Sequence, residues 1–257
     1  MKHVIIEETQ PLVSIIVPAY NAEKYIGATL NSLVTQTFPY FEIIVVNDGS
    51  TDKTEDVVKQ FYFDRRLKMV RKDNGGTGSA LNMGHGLARG KFATWCSADN
   101  IYFPTFIQEL AQALMHCEAN NVPVEFMYSD FTYMDANGNR LQDVVHKKPQ
   151  PKEDLANGYD LGMSFMYTMA LWRRTGLYWN RICEDYDWAV RAAQHTNFGL
   201  LPVILAAFRV HPNQISGHKQ QEENAAAEAC RQKAKQLLLT GAYGPKPAFK
   251  PQLVENA

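Results

Sequence analysis

An α/β fold with a mainly parallel sheet wrapped by helices is what this 257-residue sequence predicts. Three observations predict it. Short apolar, β-branched runs alternate with helical patterns through the first half of the chain. Polar turn residues follow those runs where a strand would hand over to a helix. Hydrophobic residues make up 46% and charged residues 21%, enough apolar material for one sizeable core.

In chain order, Val13 to Val17 reads as the first strand, closed by Pro18. A helix follows from Glu23, with Ile26, Leu30, Leu33 and Val34 on one face, and stops before Pro39. Phe41 to Val46 is almost wholly apolar, the pattern of a strand covered on both faces. The turn Asn47 to Ser50 leads into a helix through Val57, Val58 and Phe61. Leu67 to Val70 reads as a third strand, Thr77 to Ala88 as a helix, and Phe92 to Cys96 as a fourth strand.

After a helix from Thr105 to Cys117 the pattern changes. Val124 to Tyr128 and Phe131 to Val145, turning at Asn137 and Gly138, read as antiparallel strands. A Lys/Pro-rich loop spans Lys147 to Lys152. A helix from Glu184 to Gln194 precedes apolar strand segments within Gly199 to Val210. The last helix, Gln221 to Leu239, puts Ala226, Cys230, Ala234, Leu237 and Leu238 on one face; that face either packs on the domain or pairs in a homodimer. The expected division is a domain at 1–218, then a helix and Pro-containing tail at 219–257.

Composition excludes several classes. Lys+Arg at 26 against Asp+Glu at 27 leaves a net charge of −1, unlike a dedicated nucleic-acid binder. Four cysteines without CxxC spacing make neither a zinc site nor a disulfide framework. No run approaches the ~18 apolar residues of a membrane helix. A cytoplasmic protein, with peripheral attachment to the inner membrane face as a variant, is the expectation. No P-loop, dinucleotide fingerprint, zincin or nucleophile-elbow motif is present.

Ligands of open parallel sheets bind beyond the carboxyl ends of the strands, and three of those ends are distinctive here. They carry Pro18-Ala19-Tyr20-Asn21, Asn47-Asp48-Gly49-Ser50 and Ser97-Ala98-Asp99-Asn100. Asp48 suits acceptance of a ligand N–H, and also suits an Asx turn. Tyr20 suits stacking on a flat ring, and Lys72 suits an anion or simple exposure. A tryptophan face at 95, 172, 179 or 188 suits a sugar ring, though core packing explains such residues as well. The basic cluster His146, Lys147, Lys148 and Lys152 suits an anionic or lipid-phosphate acceptor, or a solvated loop.

The segments VSIIVPAYN at 13–21, VVNDGSTD at 45–52, the loop from Asn74 to Gly84, SADN at 97–100 and EDYDW at 184–188 together resemble glycosyltransferase family 2. The likeness spans Val13 to Ser216 and comes nearest to small, non-processive, spore-coat-type members. No Q-x-x-R-W run, as processive members carry, follows. The resemblance implies a GT-A fold and inverting transfer from a nucleotide-sugar, most often a UDP-sugar, to a sugar, glycan or lipid-linked acceptor. It implies that Pro18, Ala19, Tyr20, Asp48, Lys72, Ser97, Ala98 and Asp99 bind the donor. Asp99 and His211 would hold Mn²⁺ or Mg²⁺, with Arg209 and Ser216 as neighbours. Asp185 would be the catalytic base, with Glu184 as the fallback and helix capping as the plainer role for Asp185.

Ser97 departs from the family's acidic motif, where aspartate is usual, and cannot supply charge to a metal. That departure keeps a non-catalytic nucleotide-sugar-binding protein as one alternative. A sugar nucleotidyltransferase is the other, although it would carry a glycine-rich basic loop after the first strand.

Overall fold

The computed structural model describes residues 10–180, 183–212, 214 and 220–240. In chain order its elements are β1 (Val13–Ala19), α1 (Ile26–Val34), β2 (Phe41–Asp48), α2 (Thr54–Lys59), β3 (Leu67–Lys72), α3 (Thr77–Leu87), β4 (Phe92–Trp95) and β5 (Ile101–Tyr102). Next come α4 (Phe106–Ala119), β6 (Val124–Met134), β7 (Arg140–Val144), a 3₁₀ turn (Lys152–Ala156), β8 (Phe165–Thr168), α5 (Met169–Thr175), α6 (Glu184–Ala192), β9 (Asn197–Arg209) and α7 (Gln220–Thr240).

The strands form one sheet in the order β3-β2-β1-β4-β8-β6-β9-β5, with β7 pairing on β6. The first four run parallel. β8 is antiparallel to both β4 and β6, so β6 points the same way as β4, and β9 runs parallel to β6. The carboxyl ends of β1, β2, β3, β4, β6 and β9 therefore share one edge of the sheet. Between β1 and β4 the chain order reverses direction across the sheet, which opens a crevice at that edge.

All eight residues of β2 are buried, which explains its unbroken apolar run. Alternate residues of β1 face opposite layers. Val13, Ile15 and Val17 join α1 and α4 residues such as Leu30, Leu33, Phe106 and Leu110. Ile16 joins the other layer, with Ala80 and Leu81 of α3 and Tyr186 and Trp188 of α6. Cys230, Ala234 and Leu237 of α7 are buried in that same layer, so this helix packs on the sheet domain.

Several elements differ from expectation. α1 begins at Ile26 rather than Glu23 because the Glu23 carboxylate accepts from the Lys53 N–H at 2.8 Å, while the Glu23 N–H donates to Asp52 at 3.0 Å. Those two loops cap each other across the sheet edge. β6 is one strand through Ser129 and Asp130, and it pairs in parallel with β9 as well as antiparallel with β7. β5, the 3₁₀ turn, β8 and α5 were not anticipated. The 218/219 division, Ser216 and the tail from Gly241 lie outside the described residues.

Candidate donor and catalytic site

Pro18 sits inside a central strand, where its missing N–H would normally break the ladder. Pairing with β4 ends at Ile16 opposite Trp95, and the Cys96 N–H closes it on the Ile16 carbonyl at 2.8 Å. Beyond that point β1 and β4 part, so the proline marks the mouth of the crevice. Ala19 is buried just past it, and Tyr20 stands 53% exposed, a free aromatic face at the opening.

Asp48 ends β2 and is nearly buried. Its Oδ1 accepts from Lys72 Nζ at 2.6 Å and from the Gly75 N–H at 3.0 Å. Its Oδ2 accepts from the Gly76 N–H at 2.8 Å. Lys72, at the end of β3, is thus held on Asp48. Asn74 Nδ2 donates to the Asp48 carbonyl at 3.1 Å, completing the cradle. Each carboxylate oxygen carries two lone pairs, so Oδ2 keeps one acceptor position unused.

The turn from β3 into α3 also meets the segment that leads to α6. Gly76 has a φ of +84°, and a Cβ there would lie 2.5 Å from Asn180 Oδ1. A Cβ on Gly78 would lie 2.5 Å from the Trp179 carbonyl oxygen. Only glycine permits this approach. Neither Trp179 nor Asn180 carried a motif that would have flagged it.

Asp99 and His211, 112 positions apart, meet at the crevice with Oδ2 to Nε2 at 3.1 Å. Arg209 fixes the arrangement: its Nε donates to the Asp99 carbonyl at 2.8 Å, and its backbone N–H donates to Asn100 Oδ1 at 2.9 Å. The Tyr25 ring packs on the His211 ring at 4.5 Å and under the Arg209 guanidinium at 4.9 Å. The Ser97 N–H donates to the Tyr102 hydroxyl at 3.0 Å. Ala98 is buried, and Asp99 stays partly open, its side chain 29% exposed.

An aspartate oxygen beside an imidazole nitrogen is a donor pair that Mn²⁺ accepts, and solvent access leaves room for further oxygen ligands. Among the described residues no group of three His, Cys, Asp or Glu side chains forms a metal cluster. The pair therefore fits a cation that brings ligands with it, as a diphosphate does.

Glu184 and Asp185 open α6. The N-cap position belongs to Cys183, in a left-handed conformation with φ of +63° and no side-chain cap. Asp185 lies inside the first turn and accepts the Tyr186 N–H at 2.7 Å. Burial, with the neighbouring Asp185 charge, pushes the Glu184 carboxyl up to about 8, and burial raises Asp185 as well. Raised carboxyls of this kind, side by side, suit a proton acceptor near neutral pH. The phenols of Tyr159 and Tyr178 are also held well above their ordinary range, chiefly by burial and further by Asp185.

Trp188 is core: it is buried and donates from Nε1 to the Gly176 carbonyl at 3.0 Å. Trp172 stacks on His85 at 5.0 Å, and Trp95 meets Phe165 edge-on at 5.6 Å. His85 itself is buried between the Leu81 carbonyl and the Tyr167 hydroxyl, both at 2.7 Å.

Fold and topology together define an α/β protein with a crevice at the switch point of its sheet. The family model described as Glycosyl transferase family 2 matches residues 14–177. This chain belongs to glycosyltransferase family 2. An uncharacterized glycosyltransferase of Rickettsia prowazekii is 30% identical over 215 residues, which cover 80% of this chain and 66% of the relative. The chain spans about two thirds or less of the length of the first curated relatives it matches. Staphylococcus aureus TarS 1-349 in complex with UDP-GlcNAc superposes with a TM-score of 0.70 at 21% identity, covering 86% of this chain and 70% of that one. The Pyrobaculum calidifontis mannosyltransferase PcManGT in complex with GDP-Man and Mn²⁺ gives 0.65 at 18% identity, covering 93% and 67%. The fold is GT-A. No helix among the described residues is long and apolar enough to cross a membrane.

Proposed function

We propose that this chain is an inverting glycosyltransferase that moves a sugar from a UDP-sugar to an acceptor hydroxyl. The observation that carries the reading is the meeting of Asp99 and His211 at the crevice mouth, 3.1 Å apart. In this reading Tyr20 stacks on the base, and the unused lone pair of Asp48 Oδ2 accepts the uracil imide N–H. Lys72 tempers the Asp48 charge and keeps the carboxylate fixed for that contact. Pro18, Ala19, Ser97 and Ala98 form the crevice walls along the nucleotide.

Asp99 and His211 would hold Mn²⁺ or Mg²⁺, which when bound offsets the negative charge developing on the departing diphosphate. The solved structure of PcManGT in complex with GDP-Man and Mn²⁺ supports the use of a metal in this fold. Asp185, with Glu184 as the alternative, takes the acceptor O–H proton as that oxygen bonds to the anomeric carbon. The bond from that carbon to the diphosphate oxygen breaks on the opposite face, and the diphosphate leaves with the electron pair. The raised carboxyl pair favours this role, because one proton shared between two carboxylates leaves one charge available near neutrality.

Asp185→Asn separates catalysis from binding. Donor turnover should fall by about 10²- to 10⁴-fold while UDP binding, followed by thermal shift, is kept. Unchanged turnover would remove Asp185 from the mechanism. A chain that binds UDP and turns over no donor, with or without the substitution, would be the non-catalytic binder that Ser97 suggests.

A further inference from the structure

The segment after β7 borders an open surface pocket of about 560 Å³, and none of the proposed donor-site residues lines it. His146 is a buried residue of its lining. The His146 N–H and Nδ1 both lie 2.8 Å from Asp130 Oδ1, and Nε2 lies 2.9 Å from the Asp160 carbonyl. Gln150 closes the loop, donating from Nε2 to the Gly158 carbonyl at 3.0 Å and accepting the Asp160 N–H at 3.1 Å. A loop held by five such hydrogen bonds, on a buried aspartate and on its own backbone, is a built wall.

The groups left around the space are of two kinds. Lys147 and Lys148 are exposed lining residues, and His146 is already matched by Asp130. Asp154, Asn157 and Asp160 line it as well, offering carboxylates and an amide, with one Asp160 oxygen 3.6 Å from His146 Nε2. Ammonium groups bind an anion, while carboxylates and amides bind hydroxyls. The volume falls in the range of small-molecule sites.

The pocket is also tied to the helix that bears the acids. Tyr159 lines it, and its ring lies 5.5 Å from that of Tyr186, the residue after Asp185. The Tyr186 hydroxyl donates to the Leu155 carbonyl in the 3₁₀ turn of the same wall. Its backbone N–H reaches Asp185 Oδ1.

We infer that this pocket is an acceptor subsite, taking a sugar or polyol that carries an anionic group such as phosphate. The inference rests on the proposed transferase reading for the word acceptor, and on the pocket's own groups for the ligand class. Lys147 and Lys148 hold the anion, Asp154, Asn157 and Asp160 hold hydroxyls, and Tyr159 forms the wall toward α6.

Saturation-transfer NMR on the full chain tests this with two probes, glucose 6-phosphate and methyl glucoside. Glucose 6-phosphate should receive saturation and methyl glucoside little. The Lys147→Ala/Lys148→Ala double variant should weaken the phosphate probe at least about tenfold while UDP still shifts the melting temperature. Asp154→Ala/Asn157→Ala should weaken it independently. Equal contact by both probes, no contact by either, or an unaltered signal in the double lysine variant would overturn the inference. Loss of UDP binding by the wild-type chain would instead strike the transferase reading and leave the probe result standing.

Discussion

Replacing Glu184 by glutamine should alter stability in a pH-dependent way that reports on the paired acids directly. In the folded chain the carboxyl is pushed to about 8, against 4.5 for the unperturbed side chain. Between those values the folded state keeps a proton that the unfolded state has released. Stability therefore falls as pH rises from about 4.5 to about 8 and levels off above that. A shift of this size corresponds to about 5 kcal/mol at ~1.36 kcal/mol per unit. Glu184 is only half-buried and shares its titration with Asp185, so solvent screening reduces the expected figure to about 1–3 kcal/mol. Glutamine cannot ionise and removes the Glu184 part of the dependence, leaving that of Asp185. Urea unfolding at pH 5 and pH 9 measures the contrast: Glu184→Gln should gain about 1–3 kcal/mol on wild type between the two. A difference between the proteins that is the same at both pH values would refute the argument, because it would mean the carboxyl ionises alike folded and unfolded.

Two further substitutions probe the crevice. In the proposed metal site His211→Ala would leave Asp99 as the lone protein ligand, and Mn²⁺-dependent UDP affinity should drop by about 10- to 100-fold in calorimetry; an unchanged metal response would exclude the histidine. Gly78→Ala drives a Cβ to 2.5 Å from the Trp179 carbonyl oxygen and should cost about 1–3 kcal/mol in thermal unfolding. An unaltered melting curve would show that α3 and the segment before α6 are not packed as closely as described.

The first four strands were legible because each is a short apolar run ended by a polar turn, and the parallel order follows from the helices between them. The proposed site residues stand out for the same reason, since Tyr20, Asp48 and Asp99 lie at or just beyond the ends of β1, β2 and β4. Their partnerships were not. Lys72 reads as a phosphate ligand in sequence, yet it lies on Asp48 because β2 and β3 end side by side. His146 reads as part of a basic loop, yet it is buried on Asp130, 16 positions away. β8 is four residues long, buried for three of them, and shows no alternation that could announce it. β6 crosses Ser129 and Asp130 because Ser129 bonds Ser164 and Asp130 accepts from His146, tertiary contacts that make two polar residues tolerable in a buried strand.

Titration of UDP into the full chain, with and without Mn²⁺ and beside GDP, CDP and dTDP, bears most directly on the central claim. UDP should bind above the other three, strengthened by Mn²⁺, with the metal effect lost in Asp99→Asn. Binding of none of the four, or Mn²⁺-strengthened UDP binding that survives Asp99→Asn, would contradict it.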